Sequence, residues 1–278
     1  MKKISRRSFL AAAGLTVAAL ALTACGGSAS TASSAASSVA ASSESASTSA
    51  AELTTVEAGK LTMATNATFP PYEMTTDAGT IEGIDVETAQ AIADKLGLEL
   101  QIDDMDFDAA LLSVQQGKAD IVMAGVTVTD ERKNVMDFSD SYATGIQSII
   151  VPEGSDIATA DDLAGKKIGT QRGTTGYIYC SDDFGDDAVV AYDNGLTAVQ
   201  ALNNGQVDAV VIDNAPAKEY VAANPGLVIL ETSYAEEDYA IGMAKGNTAL
   251  EDAVNAALEE LKADGTLQSI VDKYITAE

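Results

Sequence analysis

Two segments about 88 residues apart share one pattern, and that pattern constrains the fold more than any other feature. "DAALLSVQQGKADIVMAGV" (108–126) reads as a helix, a polar pair, the stop Gly117, and then an apolar strand. "LTAVQALNNGQVDAVVID" (196–213) reads the same way, with Gly205 as the stop and "VDAVVID" as the strand. Upstream, "KLTMATN" reads as a strand and "IDVETAQAIADKLG" as an amphipathic helix. In that helix Val86, Ala89, Ala93 and Leu96 fall at helical spacing, Asp85 is the expected N-cap and Gly97 the stop. "LELQIDDM" follows as a second strand. Strand, helix, strand predicts an α/β chain with helices covering its sheet. The repeated unit alone fits either one sheet that reuses a unit or two similar lobes. Ligands of open α/β sheets bind at the carboxyl ends of strands, and there the two units carry Gly125 with Thr127, and Asp213.

The first residues belong to another category. "MKKISRRSFLAAAGLTVAALALTACGG" has a basic start, an acid-free apolar run that is short for a membrane span of about 20 residues, and small residues around Cys25. Residues 1–24 are expected to be a signal peptide, and "LTAC" followed by "GG" resembles the lipobox at which Cys25 receives a lipid. "SRRSFL" resembles a twin-arginine signal, which leaves both export routes open. Residues 26–57 are nearly all Ala, Ser and Thr, too poor in apolar surface to offset chain entropy. They read as a tether whose root-mean-square reach is roughly 30 Å.

Composition removes several functions. The chain has 42 acidic and 16 basic residues, and loss of the four basic residues in the leader takes its formal charge from −26 to −30. Such a surface repels phosphate backbones and anionic lipid, so no nucleic-acid partner is expected. There is no histidine, which excludes a Ser-His-Asp triad and a Cys/His zinc site. With Cys25 lipidated, Cys180 stands alone and no internal disulfide can form. No metal and no cofactor is expected, nor does the chain carry a GxxxxGK[ST] phosphate loop.

Against this acidity, "AGVTVTDERKNVMDFSDSY" (124–142) places Arg132 in the first turn of a short capped helix, where the helix dipole favours acids instead. Its guanidinium could pair with Asp130, Asp137 or Asp140, or could hold a ligand carboxylate through two parallel hydrogen bonds.

The stretch resembles the signature of the polar amino-acid-binding proteins of bacterial ABC importers, extracellular solute-binding proteins of family 3. The likeness runs through 60–278 in order: "LTMATNATFPPYE", "IDVETAQAIADKLG", "MDFDAALLSVQQGKADIVMAG", "DDLAGKKIGTQRGTTG", "VDAVVIDNAP" and "LEELKADGTLQSIVDKYI". It implies a two-lobed periplasmic-binding-protein-like fold of type II, with 58–145 plus 235–278 as one lobe and 146–234 as the other. "SYATGIQ" and "ETSYAEED" would cross between them, and the ligand would lie in the interlobe cleft. The resemblance assigns the ligand's α-carboxylate to Arg132 and the backbone N–H groups of Thr127 and Thr175. It assigns the α-ammonium to Asp213, the Gly125 carbonyl and the Thr127 hydroxyl, and the aromatic walls to Phe69 and Phe107. Alternatives from the residues themselves are core packing for the two phenylalanines and a helix N-cap role for Asp213. Asn66, where basic-amino-acid and glutamine receptors often carry an acid, and Gln171, where glutamine-type receptors can carry lysine, point to a neutral polar L-amino acid.

The implied protein is a monomeric lipoprotein, anchored by its lipid on the outer face of the cell membrane, that hands a free polar amino acid to a membrane permease. Two other functions share such a fold. A prephenate- or arogenate-type dehydratase would need a positioned general acid, whereas most of the acids here are expected on helix surfaces. A sensory ligand-binding domain would want a membrane or signalling segment after "KYITAE", and none follows in this sequence.

Overall fold

The computed structural model describes residues 53–231 and 233–275. The expected signal peptide, Cys25 and residues 26–52 of the expected tether lie outside the described residues. Val56, near the end of that expected tether, donates its N–H to Asp120 of the first lobe at 2.7 Å.

Two sheets form two lobes. The first sheet centres on Lys60–Thr65, buried from Leu61 onward as expected of a strand covered on both faces. It pairs in parallel with Glu99–Asp104 and with Ile121–Val122. Gly242–Ala244, from late in the chain, then pairs antiparallel with Ile121–Val122 on one side and with Met136–Phe138 on the other. The helices Ile84–Leu96, Phe107–Gln115, Thr248–Ala263 and Thr266–Tyr274 pack around this sheet and each other. Ile84, Ala89, Ile92 and Ala93 form the buried side of the first of these helices, which ends in left-handed Gly97 at φ 68°.

Asp85 departs from its expected role. Gly83 occupies the N-cap position, and Asp85 lies fully buried inside the first turn. It accepts hydrogen bonds from the Gly125 N–H at 2.9 Å and the Tyr142 hydroxyl at 2.7 Å. The turn over "PPYE" supplies the reason: Ile84 and Asp85 donate their N–H groups to Pro71 and Tyr72 carbonyls, which starts the helix before any side-chain cap is needed.

In the second sheet Val189–Tyr192, Ile168–Gln171 and Ala209–Asp213 run parallel. The ten-residue strand Ala143–Pro152 closes them antiparallel, with Asp213 opposite Gln147, and Leu227–Ile229 pairs with its far end. Thr175–Phe184, Gly195–Asn203 and Asn214–Ala223 are its helices. Both repeated units therefore form, with left-handed glycines at Gly117 and Gly205, one unit in each sheet.

The segments expected to cross between lobes are a paired ribbon. Ala235–Tyr239 runs antiparallel to Ala143–Gln147; the second of these strands spans the expected boundary at 145 and the first starts at the one at 235. Tyr239 also bridges Thr127 and stacks edge-on to Tyr72 at 5.3 Å. Gly145 makes room for it, because a Cβ there would lie 2.4 Å from the Tyr239 ring. Among the described residues no helix is long and apolar enough to cross a membrane.

Candidate functional site

A cavity of about 330 Å³ of empty volume lies between the sheets. Its lining includes all nine residues singled out from the sequence: Asn66, Phe69, Phe107, Gly125, Thr127, Arg132, Gln171, Thr175 and Asp213. Glu73, Ala124 and Thr174 complete it.

Arg132 is 7 % exposed, on the helix Asp130–Lys133, where the Thr129 hydroxyl caps the first turn by accepting from its N–H. Its guanidinium donates to the Thr127 carbonyl at 2.9 Å and to the Gly173 carbonyl at 3.0 Å, and lies 5.4 Å from the Phe107 ring centre. Neither bond goes to a carboxylate. Asp137, one of its alternative partners, pairs instead with Lys245 and the Gly246 N–H. Burial lowers the guanidinium's pKa, opposed by the charge of Glu237. An arginine still stays charged there, locked by two carbonyls from different lobes with the rest of its five N–H donors available to an anion.

Asp213 comes from the opposite lobe. It stands at the N-cap position of Asn214–Ala223 but makes no side-chain cap bond. Its oxygens are occupied otherwise: Tyr239 donates to Oδ1, and Gln147 Nε2 donates to Oδ2 at 2.8 Å. Burial pushes its pKa up to about 7, with the charge of Glu237 adding to the rise and the Tyr239 and Gln147 bonds opposing it.

Thr175 opens the helix Thr175–Phe184, so its N–H belongs to a first turn that lacks intrahelical acceptors, a ready place for an anion. Gly125, at φ 55°, lets the Phe69 ring approach so closely that a Cβ would fall 2.8 Å from it. At the other end Gln171 donates to the Asn66 side-chain carbonyl at 2.9 Å, across the lobes, while the Asn66 amide N–H₂ donates to the Met105 carbonyl at 2.9 Å. Nearby, the Tyr220 hydroxyl of the second lobe donates to the Thr68 carbonyl of the first at 2.5 Å.

Several residues around the cavity were not read from the sequence: Glu73, Gln147, Glu237 and Tyr239. Glu73 lines it fully buried, neither oxygen accepting a hydrogen bond, and burial followed by the Asp85 charge raises its pKa well above the carboxylate range. Asp85 beside it is pushed up to about 6, mainly by burial. The acids are thus not confined to helix surfaces. Glu73, Asp85, Asp213 and Glu237 are all buried around the cleft, because strands and turns rather than helices carry three of them there. "AEEDY" did hold a signal: strand alternation puts Glu237 on the same face as Ala235 and Tyr239.

Known proteins share both the sequence pattern and the fold of this chain. The family model of bacterial extracellular solute-binding proteins, family 3, matches residues 61–277. The L-cystine-binding protein TcyJ of Escherichia coli strain K12 is 35% identical over 226 residues, covering 80% of this chain and 85% of that protein. An ancestral arginine-binding protein solved bound to arginine superposes with a TM-score of 0.75 at 43% identity, covering 78% of this chain and 98% of that one. One solved bound to glutamine gives 0.76 at 42%, covering 80% and 100%.

Proposed function

The chain belongs to the bacterial extracellular solute-binding proteins of family 3, and from that premise we propose that it is the substrate-binding component of an amino-acid ABC importer. It captures a polar L-amino acid by lobe closure and delivers it to a membrane permease. The observation that carries this reading is the pairing of Arg132 from one lobe with Asp213 from the other at a single cavity. The α-carboxylate lies against the Arg132 fork and the N–H groups of Thr127 and Thr175. The α-ammonium lies against Asp213, the Gly125 carbonyl and the Thr127 hydroxyl, and Phe69 and Phe107 cover the side chain. Closure follows because only the closed form makes both sets of contacts, and a ligand shifts a population only by its differential affinity for the two states.

The side chain meets a neutral amide pair, Asn66 with Gln171, which favours a neutral polar amino acid. A cationic one is the second reading, supported by the arginine-bound relative and by the buried carboxylates near the cleft. The protein acts as a monomer without catalysis. Residues 1–24 direct its export, and a lipid on Cys25 holds it at the outer face of the membrane through the tether 26–57.

Calorimetry of the purified chain against the twenty L-amino acids tests the reading, with Arg132→Ala and Asp213→Ala alongside. Charge-assisted bonds contribute about 1.5–3 kcal/mol each, so either variant loses roughly tenfold or more in affinity. Full affinity in both variants, or no binding by the native chain, refutes it.

A further inference from the structure

Glu237 lies outside the set of cavity-lining residues and is nevertheless bonded to it. It projects inward from the ribbon strand Ala235–Tyr239, 6% exposed. Its Oε2 receives the Thr127 hydroxyl of the first lobe at 3.1 Å, the Thr175 hydroxyl of the second at 3.1 Å, and Gln147 Nε2 of the facing strand at 3.0 Å. Gln147 Nε2 also donates to Asp213 Oδ2, so one amide group bonds both carboxylates. Oε1 is buried and accepts no hydrogen bond.

The chemistry of these groups fixes the direction of each bond. A carboxylate has only acceptors, and a hydroxyl has a single proton. Each threonine therefore directs its one proton to Glu237, and what it offers any other group is a lone pair. The two hydroxyl oxygens lie 3.5 Å apart, and with both protons on Glu237 neither donates to the other.

We propose that Glu237 is a positioning residue that sets the polarity of the cleft. By taking the hydroxyl protons of Thr127 and Thr175, it makes the Thr127 oxygen a pure acceptor beside Asp213. The α-ammonium is then received on that side, and the α-carboxylate is turned toward Arg132. A reversed ligand would set its carboxylate against lone pairs and Asp213. The role rests on the amino-acid reading of the cleft and adds to it the device that orients the zwitterion.

The test compares ligands with and without the ammonium. Affinities of the full chain, of Glu237→Met and of Thr127→Val are measured by calorimetry and competition thermal shift. The probes are L-glutamine and L-arginine, each beside its deamino analogue, 4-carbamoylbutanoic acid and 5-guanidinopentanoic acid. Glu237→Met frees both hydroxyl protons, and Thr127→Val removes the acceptor but keeps the Glu237 charge. Each is expected to weaken binding of the amino acid about 10- to 100-fold while changing the deamino analogue less than about threefold. Equal losses for both kinds of ligand would mean a structural role only and overturn the proposal. So would a selective loss in Glu237→Met that Thr127→Val does not reproduce, since the charge alone would then be acting. If Glu237→Met does not fold, Glu237→Gln takes its place, since its amide N–H₂ can donate to the threonine oxygens and so competes with the ammonium for their lone pairs. A native chain that binds no amino acid overturns the reading of the cleft and this role together, whereas native binding with unselective variants overturns this role alone.

Discussion

Replacing Tyr239 with phenylalanine should make amino-acid binding depend on pH in a higher window. The Tyr239 hydroxyl donates to Asp213 Oδ1, and the Gln147 amide donates to the other oxygen. Asp213 already titrates near 7 because burial disfavours its charge. A hydrogen bond to a charged group contributes about 1.5–3 kcal/mol, and 1.36 kcal/mol corresponds to one pKa unit, so losing this bond lifts Asp213 by about one to two units. The sign follows from the ligand: Asp213 must be ionised to accept the ammonium, so affinity falls about tenfold per unit as pH drops below its pKa and levels off above it until the ligand's own ammonium begins to lose its proton, a loss common to both proteins. In the native protein the fall begins near pH 7. At that pH the variant should bind about 5- to 50-fold more weakly, a deficit that narrows to about twofold at pH 9. Calorimetric affinities from pH 5 to 9, with proton release measured in buffers of different ionisation enthalpy, give both profiles. Identical midpoints, or a deficit constant across the range, would refute the assignment of Asp213 as the titrating acceptor.

Two perturbations away from the ligand probe the same machinery. Tyr220→Phe removes the hydroxyl that spans the lobes to the Thr68 carbonyl, costing the closed form about 1 kcal/mol and weakening binding about fivefold; an unchanged Kd would show that this bond does not contribute to closure. Gly145→Ala forces a Cβ into the Tyr239 ring, at 2.4 Å from its nearest atom, and should lower the melting temperature by several degrees, with a native-like melt as the contrary result.

Local signals in the sequence sufficed where one residue's conformation decides an element. Gly97, Gly117 and Gly205 each mark a helix end because a left-handed residue is needed there, and the glycines stand at φ 68°, 66° and 66°. The apolar run ending at Asp213 forms the strand expected of it, and the run ending at Gly125 does so over Ile121–Val122. Pairings between distant segments were less legible. Asp85 has the spacing of an N-cap, yet the carbonyls of the preceding turn start the helix and leave the carboxylate free to bind Gly125 and Tyr142. Glu237, Gln147 and Tyr239 sit on ribbon strands whose inward faces converge on the cleft only once Ala235 is set opposite Gln147. Nothing local to "AEEDY" states that register.

The position of Gly242–Ala244 orders events during synthesis. It lies between Ile121–Val122 and Met136–Phe138, so the latter has no place in the first sheet until a segment more than 100 residues downstream arrives. Every strand of the second sheet, by contrast, falls between Ala143 and Tyr239. As the chain emerges from its amino end, the second lobe's sheet has all its strands first, while the lobe that begins earlier waits for the last fifth of the sequence. Closing that long loop costs entropy that grows only as the logarithm of its length, so the late strand adds delay more than instability. A chain arrested short of residue 242 would keep its first sheet open, with Met136–Phe138 lacking its neighbour.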